Sequence, residues 1–304
     1  LYAFLSLLIL GLIFVRLVYF SLATSTAIEN DQRLLAVNQL ELRINKGFYN
    51  DQPDGQEFFE STHSYAGDLD IFGKGSLYQY FNRARSEQGR ERMSQWLKKG
   101  ASQKEIIERQ EAINELGPQY EWRQQLQAYG MDETIRVDTE ERIGRWSAQP
   151  NQFHGSLYWR IVRWGYPVIA LSSIVLYLFD ILPAPFFAGA YIFFLGFSGY
   201  VLKKTMPQYR QLEKMVPEIS TLYNCAAWIE NNKFQSAWLQ SNQQSFTSKK
   251  PGASHAIRRL KKILDNFDYN LNLLFLLLIN PFVLWNLQVI FSLEKWKDDH
   301  GSRA

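Results

Sequence analysis

The chain has 304 residues, of which 46% are hydrophobic and 21% charged, a composition that excludes a disordered chain and a small disulfide scaffold. Its net charge of +3 is too small to indicate a nucleic-acid or membrane partner by itself. The single cysteine, Cys225, excludes an internal disulfide and a thiolate metal cluster, and the four histidines have no metal-ligand spacing.

The first predicted element is a transmembrane helix over residues 1–24. Residues 2–22 contain one charged side chain, Arg16, and their length approaches the ~20 apolar residues that a bilayer requires. No basic stretch precedes this segment and no small-residue cleavage site ends it, so a spanning helix is favoured over a signal peptide. Because the chain begins with Leu1, we expect it to be a fragment.

Residues 25–160 are predicted to form a cytoplasmic helical region. Within it, residues 51–70 are acidic, contain no lysine or arginine, and have the proline and glycine content of a loop. One helix is then predicted from Ser76 to Gly100, with Gly89 in its interior, where close approach of a neighbouring helix would offset the cost of the glycine.

Three further helices are predicted before residue 160. Ser102 and Glu105 have the spacing of a capping box, which marks the start of a helix that Gly117 ends. The next helix is predicted to end at Gly130, and another to end before Pro150. No β-strand alternation is found, so the sequence predicts an all-α fold.

Residues 161–204 are predicted to form a transmembrane helical hairpin that turns at the sequence DILPAP. Aromatic residues crowd both ends, as in an interfacial belt. Both ends are also basic, with Arg160 and Arg163 before the hairpin and Lys203 and Lys204 after it, whereas the tip is not. The positive-inside rule therefore places both ends in the cytoplasm. The alternative is a buried helical hairpin in a soluble core.

Residues 205–304 are predicted to be a second helical region. The pattern is helical over 207–240, the stretch 241–252 is predicted to be a loop, and a long helix starts near Ser254. Residues 271–291 form a third apolar stretch, but several amide side chains and Pro281 interrupt it. Because amides are costly in lipid, we predict a helix buried in the protein core, broken at Asn280–Pro281 and continuing to about Trp296.

The stretch FGKGS, residues 72–76, looks like a phosphate-binding loop but lacks its spacing. The position five residues before Gly73 is Asp68, and Gly75 follows Lys74 where a hydroxyl residue is required. The sequence instead predicts a turn that leads into a helix at Ser76. We predict no catalytic, nucleotide-binding or metal site and no cofactor in this chain.

Two basic clusters are the candidate contacts with duplex DNA or anionic lipid. A solvated helix face is the more common reason for such clusters, and we favour it. The candidate contact residues are Arg83, Arg85, Arg90, Lys98, Lys99, Arg258, Arg259, Lys261 and Lys262. Lys249 and Lys250 belong to the second cluster.

The stretch from Gly75 to Ile113 resembles the core, or lever, region of the MutS family of DNA mismatch-repair ATPases. The family has an Asn, a Gly and an Arg before Trp-Leu, and then a helix containing Ile-x-x-Arg-x-x-Ala. The matching residues are Gly75, Ser76, Leu77, Asn82, Gly89, Arg92, Trp96, Leu97, Ile107, Arg109, Gln110, Ala112 and Ile113. The family usually has Thr where this chain has Ser86. Residues 269–297 are similar to the second core segment, so the resemblance covers roughly 64–130 and 253–297.

The chain looks most like a bacterial subgroup in which membrane helices interrupt this core. The resemblance implies a non-catalytic, membrane-anchored front part of a MutS-like ATPase, with ATP and Mg²⁺ bound by a domain beyond Ala304. It also implies an inner-membrane location with cytoplasmic soluble parts, possible duplex-DNA binding, and a homodimer formed through the ATPase domain. The alternative function is a membrane scaffold whose cytoplasmic helices bind a protein partner or anionic lipid.

The resemblance places Arg92 on the turn next to Trp96, where it could stack on the ring or pair with a neighbour and hold helices together. We therefore expect replacement of Arg92 by glutamine to destabilise the fold more than the same change at Arg90.

Overall fold

The computed structural model describes residues 2–248 and 252–300, which form helices and no strand, so the predicted all-α fold is confirmed for this part of the chain. The α-helices are α1 Tyr2–Asn45, α2 Leu77–Phe81, α3 Glu87–Lys98, α4 Gln103–Leu116, α5 Tyr120–Tyr129, α6 Val137–Ala148, α7 Leu157–Leu178, α8 Ala184–Glu213, α9 Val216–Asn231, α10 Ala237–Thr247, α11 Ala253–Asp268, α12 Leu273–Leu278, α13 Asn280–Val283 and α14 Trp285–His300. The chain divides into two compact units. The first unit comprises Leu1–Ile135 and Asn231–Gln243, and the second comprises Arg136–Glu230 and Gln244–Ala304.

The first unit begins with α1, whose backbone continues without a break through the predicted boundary at residue 24. Leu1 and the side chains of residues 2–9, 12 and 15 lie outside the described part, and transmembrane character for 1–24 stays a prediction. The second half of α1 packs on α5. Asn30 and Gln125 exchange amide hydrogen bonds of 2.7 and 3.3 Å, and Arg33 forms an ion pair with Asp132.

The single helix predicted from Ser76 to Gly100 is wrong, because the chain forms α2 and α3 with a break between them. The side-chain oxygen of Asn82 accepts a hydrogen bond from the N–H of Ala84, a local bond that competes with helix continuation. Ser86 then caps α3 by accepting from the N–H of Gly89. Gly89 is therefore in the first turn of α3, and its nearest neighbours are Ser86 and Ala84 rather than another helix.

The helix boundaries that were predicted from capping, glycine and proline residues are confirmed for α4, α5 and α6. Ser102 and Glu105 form the predicted capping box at the start of α4, with both reciprocal hydrogen bonds present. The helix ends at Leu116, directly before Gly117, and α5 ends at Tyr129, directly before Gly130. The helix α6 ends at Ala148, before Pro150.

The second unit contains the helical hairpin formed by α7 and α8, and the two predicted helices with their turn are confirmed. At the tip, Asp180 has a positive φ of 56°. The core of this unit consists of buried apolar side chains from α6 to α9, α11 and α14, with Leu264, Leu284, Leu287, Ile290 and Leu293 fully enclosed.

Two predictions for the second helical region need correction. The loop predicted over 241–252 is wrong for its first half, because α10 continues to Thr247. Residues 249–251, which include Lys249 and Lys250, lie outside the described residues. The helix predicted to be buried over 271–291 is buried only from Asn280 onward, and α12 exposes most of its leucines.

Candidate functional site

The hairpin presents large apolar side chains along its outer surface. Among the described residues, α7 and α8 are long and apolar enough to cross a bilayer, and only 6% and 17% of their most apolar windows are buried. A helix in the core of a soluble protein would have most of this surface covered. Large exposed apolar side chains on both helices are typical of a surface that contacts an apolar partner.

The inner side of the hairpin carries hydrogen bonds to the later helices of the second unit. The hydroxyl of Tyr166 lies 3.1 Å from the carbonyl oxygen of Phe194 and 2.8 Å from that of Pro281. The amide of Asn280 donates to the hydroxyl of Ser198 at 2.6 Å. These bonds join α7, α8 and α13 in a region where few other polar groups are present.

Near the start of the hairpin, Arg163 of α7 is joined to Gln288 of α14. The guanidinium Nε donates to Gln288 Oε1 at 2.7 Å, and Gln288 Nε2 donates to the carbonyl oxygen of Arg163 at 2.9 Å. The guanidinium also lies over the ring of Phe291, 4.9 Å from its centroid. Arg163, predicted as part of the basic flank of the hairpin, therefore has a structural role as well.

The loop that joins α6 to α7 is held by a fully buried carboxylate, Glu294 of α14. Its two oxygens accept hydrogen bonds from the consecutive backbone N–H groups of Gln152, Phe153 and His154, at 2.8, 2.9 and 2.6 Å. The side-chain amide of Gln208 on α8 donates a further bond at 3.2 Å. Successive N–H groups arranged in this way form an anion-binding nest, and here the anion is supplied by the protein itself.

One turn further along α14, Lys297 is buried against the same loop. Its Nζ donates to the carbonyl oxygen of Gln149 at 2.8 Å and lies 5.5 Å from the ring centroid of Trp146. Burial lowers the pKa of Lys297, an effect that the nearby Glu294 and Asp298 partly oppose. The amide of Asn151 also donates to Asp298, at 2.6 Å. The junction between α6 and α7 is therefore fixed by charged side chains of α14.

Several basic residues of the first unit that were predicted to contact DNA or lipid are instead bonded to acceptor groups within the protein. Arg83 binds both carboxylate oxygens of Glu41, at 2.6 and 3.0 Å, and the two residues line a groove of about 330 Å³. Arg90 donates to the carbonyl oxygen of Ala84, and Lys98 forms an ion pair with Glu60 at 2.8 Å.

Arg85 and Lys99 complete this first set. Burial lowers the pKa of Arg85, and the neighbouring Arg90 and Arg83 lower it further. A half-buried guanidinium of this kind is poorly placed to bind a phosphate. Lys99 is exposed, directly after the last residue of α3.

The second set of predicted contact residues lies along α11. Two of its members form ion pairs within the described part of the protein and two do not. Arg259 pairs with Asp299 at 3.5 Å and Lys261 pairs with Asp265 at 2.9 Å. Arg258 and Lys262 are exposed and lie four residues apart on the helix, so they share a face. Of the predicted contact residues, Lys99, Arg258 and Lys262 are thus the ones that are exposed and lack an ion pair within the described residues.

Two of the residues on which the predicted resemblance rests contact each other in the first unit. The guanidinium of Arg109 on α4 lies over the ring of Trp96 on α3, 4.5 Å from its centroid. The expectation that Arg92 stacks on Trp96 is wrong, because Arg92 is exposed on the surface of α3. The sequence pattern pointed to Arg92 because it lies one helical turn before Trp96, whereas Arg109 belongs to the next helix and reaches the ring only through the packing of α4 on α3.

The expected order of the two arginine substitutions therefore reverses. Arg90→Gln removes a half-buried bond between the guanidinium and the chain just before α3, and we expect it to lower the free energy of unfolding by about 1 kcal/mol. Arg92→Gln is a matched change at an exposed site of the same helix and should alter it by no more than about 0.5 kcal/mol. Thermal melts of both variants measure the difference, and equal losses would contradict this assignment.

The turn at FGKGS, as predicted, leads into a helix whose N-cap is Ser76. The backbone N–H groups of both glycines in this turn have acceptors within the protein. The N–H of Gly73 donates to the carbonyl oxygen of Asp54 at 2.9 Å, and that of Gly75 to the side-chain oxygen of Gln79 at 2.8 Å. These groups are thus engaged in holding the turn and the preceding loop together.

The sequence analysis missed a group of glutamates, buried or half-buried, whose carboxylates accept hydrogen bonds from backbone N–H groups. Glu115 accepts from the N–H groups of Gln235 and Ser236, directly before α10. Burial acts to raise the pKa of Glu115, but these hydrogen bonds outweigh it and the pKa is lowered. Glu218 binds the N–H of Arg136 before α6, and Glu230 binds that of Ser254 in the first turn of α11. Each partner is distant in sequence, so no local pattern marks these residues.

No protein-family model, curated protein or solved structure matches this chain.

Proposed function

We propose that this chain is the membrane-anchored, non-catalytic front part of a MutS-like ATPase. The hairpin holds the chain in a bilayer, and the helices of the two units couple the membrane to an ATPase domain that binds ATP and Mg²⁺. The observation that carries the anchoring role is the exposed apolar surface of α7 and α8, because lipid is the partner that fits two long, apolar helices with this surface.

Two local features support the MutS-like assignment. The family usually has Thr at the position of Ser86, and a Thr hydroxyl can serve as the same N-cap for α3 that Ser86 provides. Gly89, a second residue of the resemblance, donates the N–H that this cap accepts. Trp96 and Arg109, which come from the two separate parts of the family pattern, contact each other. The resemblance thus covers residues that form one arrangement.

The proposed topology places both ends of the hairpin in the cytoplasm of a bacterium and its tip on the other side of the inner membrane. We expect a membrane-impermeant maleimide added to right-side-out spheroplasts to leave cysteines at Ser61 and Ser248 unlabelled, in a Cys225→Ala background. A cysteine at the exposed Ile181 of the hairpin tip should react and serves as the matched control. Labelling of Ser61→Cys or Ser248→Cys as efficient as that of Ile181→Cys would refute this topology.

A membrane scaffold that binds a protein partner or anionic lipid is the second candidate. The observation that favours it is the internal pairing of the basic residues. Arg83, Lys98, Arg259 and Lys261 are bound to carboxylates of the protein, which leaves less positive charge for a DNA backbone.

Duplex-DNA titrations at two salt concentrations distinguish the two functions. If the protein expressed from its full reading frame binds DNA through α11, the double variant Arg258→Gln/Lys262→Gln should bind more weakly. The slope of log affinity against log salt should fall by nearly two units, because each phosphate that is no longer neutralised lowers it by about 0.9. The matched variant Arg259→Gln/Lys261→Gln should change the slope less, because these side chains are paired internally. No measurable DNA binding by the unaltered protein would favour the scaffold.

A further inference from the structure

The short helix α12 exposes several large leucine side chains close together. Leu273, Leu274 and Leu278 are 66%, 68% and 60% exposed, in a six-residue helix with no polar side chain. Large apolar side chains that are contiguous on a surface mark a contact with an apolar partner.

The other side of this segment packs against the hairpin. The ring of Phe282 lies 5.9 Å from that of Tyr191 and 6.1 Å from that of Phe194, both on α8. Tyr191 is seven residues after Ala184, the first residue of α8, which at 1.5 Å per residue is about 10 Å from the tip end of the helix. The segment therefore lies beside the apolar part of α8, far from Lys203 and Lys204 at its basic end.

Side chains of the protein satisfy backbone hydrogen-bonding groups of this segment that would otherwise require water. Pro281 has no N–H, so it leaves the carbonyl oxygen of Leu277, four residues earlier, without its helical donor. The hydroxyl of Tyr191 fills this position at 3.0 Å. The carbonyl oxygen of Pro281 accepts from Tyr166, and the side chain of Asn272 accepts from the N–H groups of Leu274 and Phe275. In lipid, each such group must find its partner within the protein.

The length of α12 excludes a span. Six residues of helix extend about 9 Å, whereas the hydrocarbon core of a bilayer is about 30 Å thick. Non-helical backbone at membrane depth is tolerated where it is buried against protein, and the turn at Ile279–Asn280 is such a place, because Asn280 is fully buried and bonded to Ser198.

We propose that α12 and α13 form a third membrane-inserted element, which enters the bilayer from the same side as both ends of the hairpin and returns to that side. Leu273, Leu274 and Leu278 contact lipid acyl chains, and the tyrosines of the hairpin hold the broken backbone. Lipid is the occupant because this surface continues the exposed apolar surface of α7 and α8. This inference rests on the proposed anchoring by the hairpin and adds a lipid-binding surface to it.

Spin-label accessibility in reconstituted vesicles tests the proposal. Single cysteines are placed at Leu274 and Leu278, with Leu273 as a further position, in a Cys225→Ala background. Ile169 of α7 and Ile113 of α4, which are equally exposed, serve as the hairpin and water-facing controls. Helix content is measured for each labelled protein, and all five sites are exposed, so the label displaces no core side chain.

We expect labels at Leu274 and Leu278 to be accessible to oxygen and protected from a water-soluble nickel chelate, as at Ile169. If they behave like Ile113 while Ile169 is in lipid, the segment is not inserted and the hairpin anchor stands. If Ile169 also behaves like Ile113, the anchor itself fails, and this proposal with it. Protection of Leu274 and Leu278 from both reagents would show a protein occupant and overturn the assignment to lipid.

Discussion

Replacement of Glu294 by glutamine is expected to lower the free energy of unfolding of the second unit by about 3 kcal/mol. The carboxylate accepts bonds from the N–H groups of Gln152, Phe153 and His154 and from the side chain of Gln208. Hydrogen bonds to a charged acceptor contribute about 1.5–3 kcal/mol each. Glutamine has almost the same shape, but its NH₂ group would face N–H donors and leave at least one of them unsatisfied.

Denaturant unfolding in detergent micelles measures this effect, and Glu213→Gln provides the matched control. Glu213 lies on the exposed surface at the end of α8, and its replacement should change the free energy of unfolding by no more than about 0.5 kcal/mol. A decrease below about 1 kcal/mol for Glu294→Gln would mean that the buried carboxylate is not the acceptor that holds the loop before α7.

In a chain shortened by the predicted N-terminal transmembrane helix, residues 1–24, replacement of Ile192 by arginine is expected to remove most of the protein from the membrane fraction. Ile192 is 69% exposed near the middle of the apolar part of α8. An arginine at the centre of a membrane helix costs about 2.5–3.5 kcal/mol of insertion free energy, which corresponds to a change of roughly a hundredfold in the insertion equilibrium. In a soluble protein, the same change would replace an exposed apolar side chain with a charged one and increase solubility.

Carbonate extraction of membranes followed by immunoblotting distinguishes the two cases, because the arginine lowers membrane retention only if lipid surrounds the hairpin. Ile113→Arg on α4 is the matched control, because Ile113 is 66% exposed in the first unit and should tolerate the charge with no change in membrane retention. Full membrane retention of Ile192→Arg, with an unchanged melting temperature, would argue against lipid around the hairpin.

Structural elements that are specified by residues close together in the sequence could be predicted from it. The capping box at Ser102 and Glu105 needs only two residues three positions apart, and both of its hydrogen bonds form. The hairpin was predictable because length and composition alone mark long apolar helices. The break between α2 and α3 was missed because apolar spacing continued across it, although Asn82 and Ser86 are residue types that interrupt and cap helices.

Elements that depend on distant partners were not predictable. Glu294 binds backbone groups about 140 positions earlier in the chain, and nothing in its neighbourhood distinguishes it from a solvated glutamate. In the stretch 271–291, amide side chains indicated a core helix, yet Asn272 caps α12 and Asn280 bonds to the hairpin. The amide of Asn272, one of those that argued against lipid, thus satisfies backbone N–H groups of the segment we propose to place there.

The contacts of α14 also determine how this chain would carry a mechanical load. Gln288 is tied to Arg163, and Glu294 to the loop that precedes α7. Six residues separate the two ties, about 9 Å along the axis, and place them on different sides of the helix. Turning α14 about its axis or sliding it lengthwise would therefore break hydrogen bonds at both points. A torque or pull applied to the end of α14 would therefore be transmitted to the entrance of the hairpin through these two sets of hydrogen bonds.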